Sequence, residues 1–122
     1  MLGLRHLALK VKDMDKAVDF YTGVLGMRID WQPDKENVYL TSGSDNLALH
    51  QCDEPNGGGT LDHFGFMVSR PEEVDEWALR LARHGVPLVQ RPETHRDGSR
   101  SFYFRDPDEN LIQLLFHPRV TA

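Results

Sequence analysis

The sequence predicts an α+β domain built from two βαβββ modules, whose cupped mixed sheets surround a cavity. Three observations predict it. First, a histidine-led apolar stretch opens an amphipathic helix twice, as His6-Leu-Ala-Leu-Lys-Val11 before residues 14–25 and as His63-Phe-Gly-Phe-Met-Val68 before residues 71–84. Second, the helices match: Val18-Asp19 recurs as Val74-Asp75, Tyr21 meets Trp77, and Leu25 meets Leu81. Third, three short strand-like segments follow each helix. Self-similarity at this spacing reads as one supersecondary unit used twice. Each helix can cover only one face of its sheet, and two curved sheets meeting by their other faces would enclose a cavity.

In the first module, about residues 1–55, residues 4–11 alternate as a strand does. Leu7, Leu9 and Val11 share one face, and His6, Ala8 and Lys10 share the other. Asp13 can cap the next helix, whose apolar residues Met14, Ala17, Val18, Tyr21, Val24 and Leu25 have helical spacing. Gly26 suits the position just past its end. Strands are expected near 27–32, 37–42 and 46–52, with residues 43–46 as a tight connection. Pro55-Asn-Gly-Gly-Gly-Thr60 reads as the linker between modules.

In the second module, about residues 60–118, His63, Gly65 and Met67 share one strand face, and Phe64, Phe66 and Val68 the other. Ser69-Arg-Pro-Glu72 reads as a capping box with proline in the first turn. Val74, Trp77, Ala78, Leu81 and Ala82 form the stripe to be buried, and Gly85 ends the helix. Strands are expected near 87–90, 100–104 and 111–117, with Asp106-Pro-Asp-Glu-Asn110 turning between the last two.

At 122 residues, with 39% hydrophobic and 27% charged content, the chain is expected to be one soluble domain with a real core. A net charge of -5 and the lack of a dense cationic run argue against a nucleic-acid partner. A single cysteine, Cys52, excludes an internal disulfide framework. No apolar run reaches membrane-spanning length and no signal peptide is visible, so a cytoplasmic location is expected.

These residues resemble the glyoxalase, bleomycin-resistance and extradiol-dioxygenase superfamily, also called vicinal oxygen chelate proteins. The carriers are His6, the stretch Ala17-Val-Asp-Phe-Tyr21 with Val24-Leu-Gly26, His63, and Ser101-Phe-Tyr-Phe-Arg-Asp-Pro-Asp-Glu-Asn-Leu-Ile-Gln-Leu-Leu115. The resemblance spans essentially the whole chain and implies the glyoxalase/dioxygenase-like fold. It further implies a divalent metal (Zn, Ni, Fe or Mn), a small-molecule substrate that chelates it through neighbouring oxygens, and a homodimer.

His6 and His63 match the family's two strand-opening ligands, and imidazole suits these metals. Gln113 stands where metal-binding members usually carry a glutamate. Its parity is right, since Ile112 and Leu114 would pack under the helix. A glutamine can offer a neutral carbonyl oxygen, as in some glyoxalases, but it cannot be a base or complete a two-histidine, one-carboxylate iron site. The fourth family ligand is sought on the strand near 46–52. There alternation buries Leu47 and Leu49 and turns Ala48, His50 and Cys52 toward the cavity, which favours His50. An ungapped match of Asp45-Asn-Leu47 to Glu109-Asn-Leu111 would instead pair Leu49 with Gln113.

Other residues are assigned lesser roles. Tyr103 shares a face with Ser101 and is a candidate substrate contact. Arg100, with His95 and Arg96, is expected on a polar loop that could hold an anionic substrate. His84 reads as a helix-end cation, while His117 and Trp31 stay open. Nothing near Cys52 lowers its pKa. Two functions follow from the resemblance. One is a metal-dependent lyase, isomerase or dioxygenase acting on a small oxygenated or thiol-conjugated substrate. The alternative is a metal-free drug-binding protein of the bleomycin-resistance type. A thiol transferase of the antibiotic-resistance type is a third variant.

Overall fold

In a computed structural model the described residues are 2–54, 61 and 63–120. The proposed linker 55–60 lies outside them. The chain divides into two compact units, Met1–Gly58 and Gly59–Ala122.

Unit 1 runs β1 (His6–Val11), α1 (Met14–Asp19), β2 (Arg28–Trp31), β3 (Asn37–Thr41) and β4 (Asn46–Gln51). Its sheet order is β1-β4-β3-β2, with β1 parallel to β4 and the other pairs antiparallel. Unit 2 repeats the plan with β5 (Phe64–Met67), α2 (Pro71–Arg83), β6 (Leu88–Thr94), β7 (Arg100–Arg105) and β8 (Leu111–Phe116). Its order is β5-β8-β7-β6, with only the β5–β8 pair parallel. The expected α+β class and doubled βαβββ order are therefore present.

Each unit buries the face of its sheet that carries the alternating apolar residues. In unit 1, Leu9, Val11, Val38, Leu40, Leu47 and Leu49 are buried, together with Met14, Ala17 and Tyr21 from the helical segment. In unit 2, Phe102, Phe104, Ile112 and Leu114 are buried, as are Val74, Ala78 and Leu81 of α2. Each fully buried side chain of this size contributes roughly 1.5–3 kcal/mol relative to exposure. Trp77 is only half-buried and Ala82 is exposed, so the buried stripe of α2 is narrower than expected. Trp77 instead takes the Arg80 guanidinium over its ring at 5.1 Å.

The helix ends show where local chemistry prevails. The Asp13 side chain accepts the Lys16 N–H and caps α1 as expected. The first helix is not uniform to Leu25. It widens into a π-helical turn over Phe20–Val24, where the Thr22 hydroxyl donates back to the Val18 carbonyl. Gly26 closes it with φ 81°, and Met27 N–H reaches the Tyr21 carbonyl. The capping box at Ser69 is not formed. Arg70 is the N-cap, with no side-chain cap, and Pro71 opens α2. A residue before proline is driven to extended backbone, and Arg70 sits at φ -138°, ψ 148°. That places the helix start one residue later than the box requires. The Arg70 guanidinium pairs with Glu73 of the first turn. At its other end α2 closes as a Schellman motif, with Gly85 at φ 74° and Val86 N–H bonded to the Leu81 carbonyl.

β6 is longer than expected, reaching Thr94, and Arg100 lies on β7 rather than on a loop. Two loops fix the register of the strands that matter for function. Before β4, the Asp45 carboxylate accepts from the Ser42 N–H and hydroxyl and from the Thr41 hydroxyl. Burial raises the Asp45 pKa, but these hydrogen bonds outweigh it and hold the carboxyl below its usual range. Before β8, the buried Asp106 carboxylate accepts from the N–H groups of Asp108 and Asn110 and from the Asn110 amide. Glu109 adopts φ 68° within that turn.

Candidate metal centre

The helix-free face of each sheet carries the candidate residues, and strand register fixes their rows. In unit 2, Gly65 on β5 stands beside Gln113 on β8, which stands beside Tyr103 on β7. His63 lies two residues before Gly65 with the same parity. Its ring meets Tyr103 edge-on, with centroids 5.3 Å apart and planes at 86°. His63, Gln113 and Tyr103 are thus brought together on one face. Gly65 allows close packing on that face: a Cβ there would lie 2.9 Å from Leu115 Cδ2 and 3.2 Å from the Gln113 carbonyl oxygen.

In unit 1, His6 stands beside Asn46, Ala8 beside Ala48, and Lys10 beside His50. The His6 Nδ1 lies 2.8 Å from Asn46 Oδ1. An amide oxygen only accepts, so Nδ1 carries the proton and Nε2 offers the lone pair. This is the outer-shell arrangement that orients a metal-binding imidazole. His50 is fixed in the same way, its Nδ1 donating to Asn37 Oδ1 at 2.6 Å. The Asn37 amide in turn donates to Asp34.

The register also separates two expected ligands. His6 and His50 share a face, but their rows are four residues apart along the strand, roughly 13 Å. They cannot bind one ion together within this unit. Matching His6 to His63 and Ala8 to Gly65 makes Ala48, not His50, the counterpart of Gln113. Parity correctly picks the face, because Leu47 and Leu49 are buried, but parity says nothing about the row. The register was invisible because it depends on where β1 meets β4.

Arg100 is engaged on the opposite, helix-bearing side. Its guanidinium donates to both carboxylate oxygens of Asp75 on α2, at 2.9 and 2.7 Å, and to the Thr94 hydroxyl. This bidentate pair raises the Arg100 pKa further. Tyr103 therefore lies on the helix-free face, whereas Arg100 braces α2 against β7. His95 lies 3.1 Å from the Ser101 hydroxyl through Nε2, and His117 faces Asp97 at 3.6 Å. His84 forms the C-cap of α2 and is exposed, as a helix-end residue should be. Cys52 is a free thiol. Sequence reading did not anticipate Asn46 and Asn37, the partners that set the histidine tautomers; an asparagine at matching parity on the neighbouring strand was the available signal.

Among the described residues, no three histidine, cysteine, aspartate or glutamate side chains gather closely enough to hold a metal ion. The candidate donors instead combine imidazole with the Gln113 amide. Donors of this kind suit a divalent ion of borderline softness: an imidazole and an amide oxygen on one face of unit 2, and separately an oriented imidazole on His6 of unit 1.

Comparisons with known proteins agree with the fold. The model of the Glyoxalase/Bleomycin resistance protein/Dioxygenase superfamily matches residues 3–114. The chain is 29% identical over 117 residues to the metallothiol transferase FosB of Shouchella clausii (strain KSM-K16), covering 92% of this chain and 78% of that protein. It is 35% identical over 122 residues to the glyoxalase domain-containing protein RDO1 of Mycosarcoma maydis, covering 91% and 66%. The crystal structure of lactoylglutathione lyase from Agrobacterium tumefaciens superposes with a TM-score of 0.80 at 26% identity, covering 93% of this chain and 92% of that one.

Proposed function

The chain belongs to the glyoxalase/bleomycin resistance protein/dioxygenase superfamily, and from that premise we propose that it is a divalent-metal-dependent enzyme acting on a small oxygenated substrate. The observation that carries this reading is the Gly65–Gln113–Tyr103 row with His63 packed on Tyr103. In this reading His63 and Gln113 are metal donors on unit 2, His6 is a metal donor on unit 1, and His50 is not a donor. When bound, such an ion polarises a substrate oxygen as a Lewis acid. The protein's own residues then divide the remaining work. Asn46 holds the His6 tautomer, the Tyr103 ring sets the angle of His63, and the Tyr103 hydroxyl hydrogen-bonds a substrate oxygen.

Gln113 narrows the chemistry. An amide neither accepts a proton at neutral pH nor charges the donor set, so this position supplies no base. The reaction in this reading is one whose nucleophile or acidic proton arrives with the substrates. A thiol meets that requirement, because a useful fraction of it is ionised near neutrality. Similarity to a metallothiol transferase and to a lactoylglutathione lyase supports thiol transfer or the isomerisation of a thiol conjugate. Dioxygenase chemistry is disfavoured, since the two-histidine, one-carboxylate iron set lacks its carboxylate. We also assign the chain a homodimeric state, supported by the exposed Leu2, Leu4 and Ile29 and tested by sedimentation velocity. Among the described residues no helix is long and apolar enough to cross a membrane.

The test is metal content, by mass spectrometry, of protein prepared without a metal-affinity tag and exposed to Ni, Zn, Mn and Fe(II). Near-stoichiometric metal that is lost in His6→Ala and His63→Ala is expected. A chain that takes up no metal under any of these conditions would instead fit the binding-protein alternative, which the neutral Gln113 favours.

A further inference from the structure

The two units share a backbone plan but present different chemistry on their helix-free faces. In both, the outer strand carries a bulge at the same place. The register of β2 against β3 shifts between Ile29 and Trp31, and that of β6 against β7 shifts between Leu88 and Gln90. Without the extra residue, Trp31 would stand opposite Val38, whose side chain is fully buried on the helix-bearing face. With it, Trp31 stands opposite Tyr39 on the other face. Bulges of this kind re-aim side chains near functional sites. The corresponding bulge in unit 2 sets Gln90 opposite Tyr103. Tyr39 and Tyr103 are counterparts, as are Trp31 and Gln90, and Ala48 and Gln113. At these two positions the second copy carries amides, where the first carries an alanine and a flat aromatic.

That aromatic is arranged as the start of a stack. Trp31 lies over Tyr39 with centroids 5.1 Å apart and planes 23° from parallel, yet it remains 59% exposed. Tyr39 meets His50 edge-on at 5.9 Å. His50 is pinned by Asn37, and Lys10 stands beside it in the sheet. Exposing an indole on a rigid strand, with one face already stacked, leaves its other face and edges to favour a second flat group. Lys10 supplies the charge that complements an acid.

The geometry points to Trp31, Tyr39, His50 and Lys10 as a recognition platform for a flat, unsaturated or aromatic acid. Its ring rests on the Trp31–Tyr39 stack. Unit 1 in this reading binds the flat body of the acid, and the platform stands or falls separately from the proposed metal donors.

The experiment compares benzoylformate with pyruvate, two acids with the same vicinal oxygens that differ by phenyl against methyl. Binding is read from the fluorescence of the chain's two tryptophans, Trp31 and Trp77, with Trp77→Phe isolating Trp31. Metal affinity is measured on the same samples. Benzoylformate is expected to quench Trp31 and to bind at least tenfold more tightly than pyruvate. Trp31→Ala should shrink that preference to under threefold without changing metal affinity. Lys10→Met should weaken both acids alike. Equal affinity for the two acids, or a preference that survives Trp31→Ala, overturns the platform even if metal binds. Loss of self-association in Trp31→Ala with the preference intact also overturns it, by making Trp31 a contact between copies. A ring preference in protein that takes up no metal supports the platform and sinks the proposed function instead.

Discussion

At the scale of single residues, metal binding depends on what each donor can and cannot do. Gln113→Glu replaces an amide dipole by a full negative charge and should tighten metal binding roughly tenfold or more. Asn46→Ala removes the acceptor that fixes the His6 tautomer; outer-shell losses of this type cost about 10–100-fold in metal affinity. His50→Ala should leave metal affinity unchanged within about twofold, because its row is set off from that of His6. Metal titration of the three variants by calorimetry checks all of these. The Asp75–Arg100 pair makes a separate prediction. The hydrogen bond from Arg100, helped by its charge, holds the Asp75 carboxyl below its ordinary range. A depressed folded pKa stabilises the native state above the unfolded value near 4 and loses that contribution as pH falls through the lower, folded value. Both side chains are partly solvated, so the contribution is at most about 1 kcal/mol. Asp75→Asn should therefore cost up to that amount at pH 7 and almost nothing near pH 2, as chemical denaturation at the two pH values would show.

At the scale of elements, alternation and helical spacing were enough to place eight strands and two helices, most plainly where one face is buried, as in β1 and β8. Leu7, Leu9 and Val11 against His6, Ala8 and Lys10 is a pattern with only one sensible orientation. What the pattern left out was register. A strand's faces follow from its own residues, but its row depends on the neighbour, and in this chain on the loops that Asp45 and Asp106 cap. Hence His50 lies on the expected face but four residues along the strand from the row of His6. The bulges at β2 and β6 were equally hidden, since an extra residue in an exposed edge strand leaves no apolar signature. The Ser69 capping box failed because the restriction imposed by Pro71 on its predecessor outweighs one side-chain cap. Packing predictions sit at this scale too. Leu81→Ala in α2 should cost about 2–5 kcal/mol, since Leu81 is fully buried. Gly65→Ala should cost about 1–3 kcal/mol and weaken metal binding, because the new Cβ presses on the Gln113 backbone oxygen. Thermal denaturation and metal titration together separate the two effects.

At the scale of the whole molecule, one backbone plan carries two different sets of side chains. Each copy keeps the histidine at the mouth of its first strand, a small residue two places on, and a tyrosine on its third strand. The copies part at Ala48 against Gln113 and at Trp31 against Gln90. The repeat, and with it the family, was legible in the sequence because duplication leaves matched residues at matched spacing. The difference between the two sets was not, because it appears only when both sheets are laid out row by row. A bound ion would also couple function to stability. At a free metal concentration one hundred times its dissociation constant, the folded state gains about 2.7 kcal/mol, a gain that should vanish in His63→Ala.

The most direct test of the central claim is a Co(II) titration followed by visible absorption, in the wild-type chain and in His63→Ala and Gln113→Glu. The account predicts a saturable spectrum at about one ion per chain, abolished in His63→Ala and shifted, at lower Co(II), in Gln113→Glu. A spectrum that is the same in all three proteins would place the ion elsewhere and contradict the assignment of His63 and Gln113 as its donors.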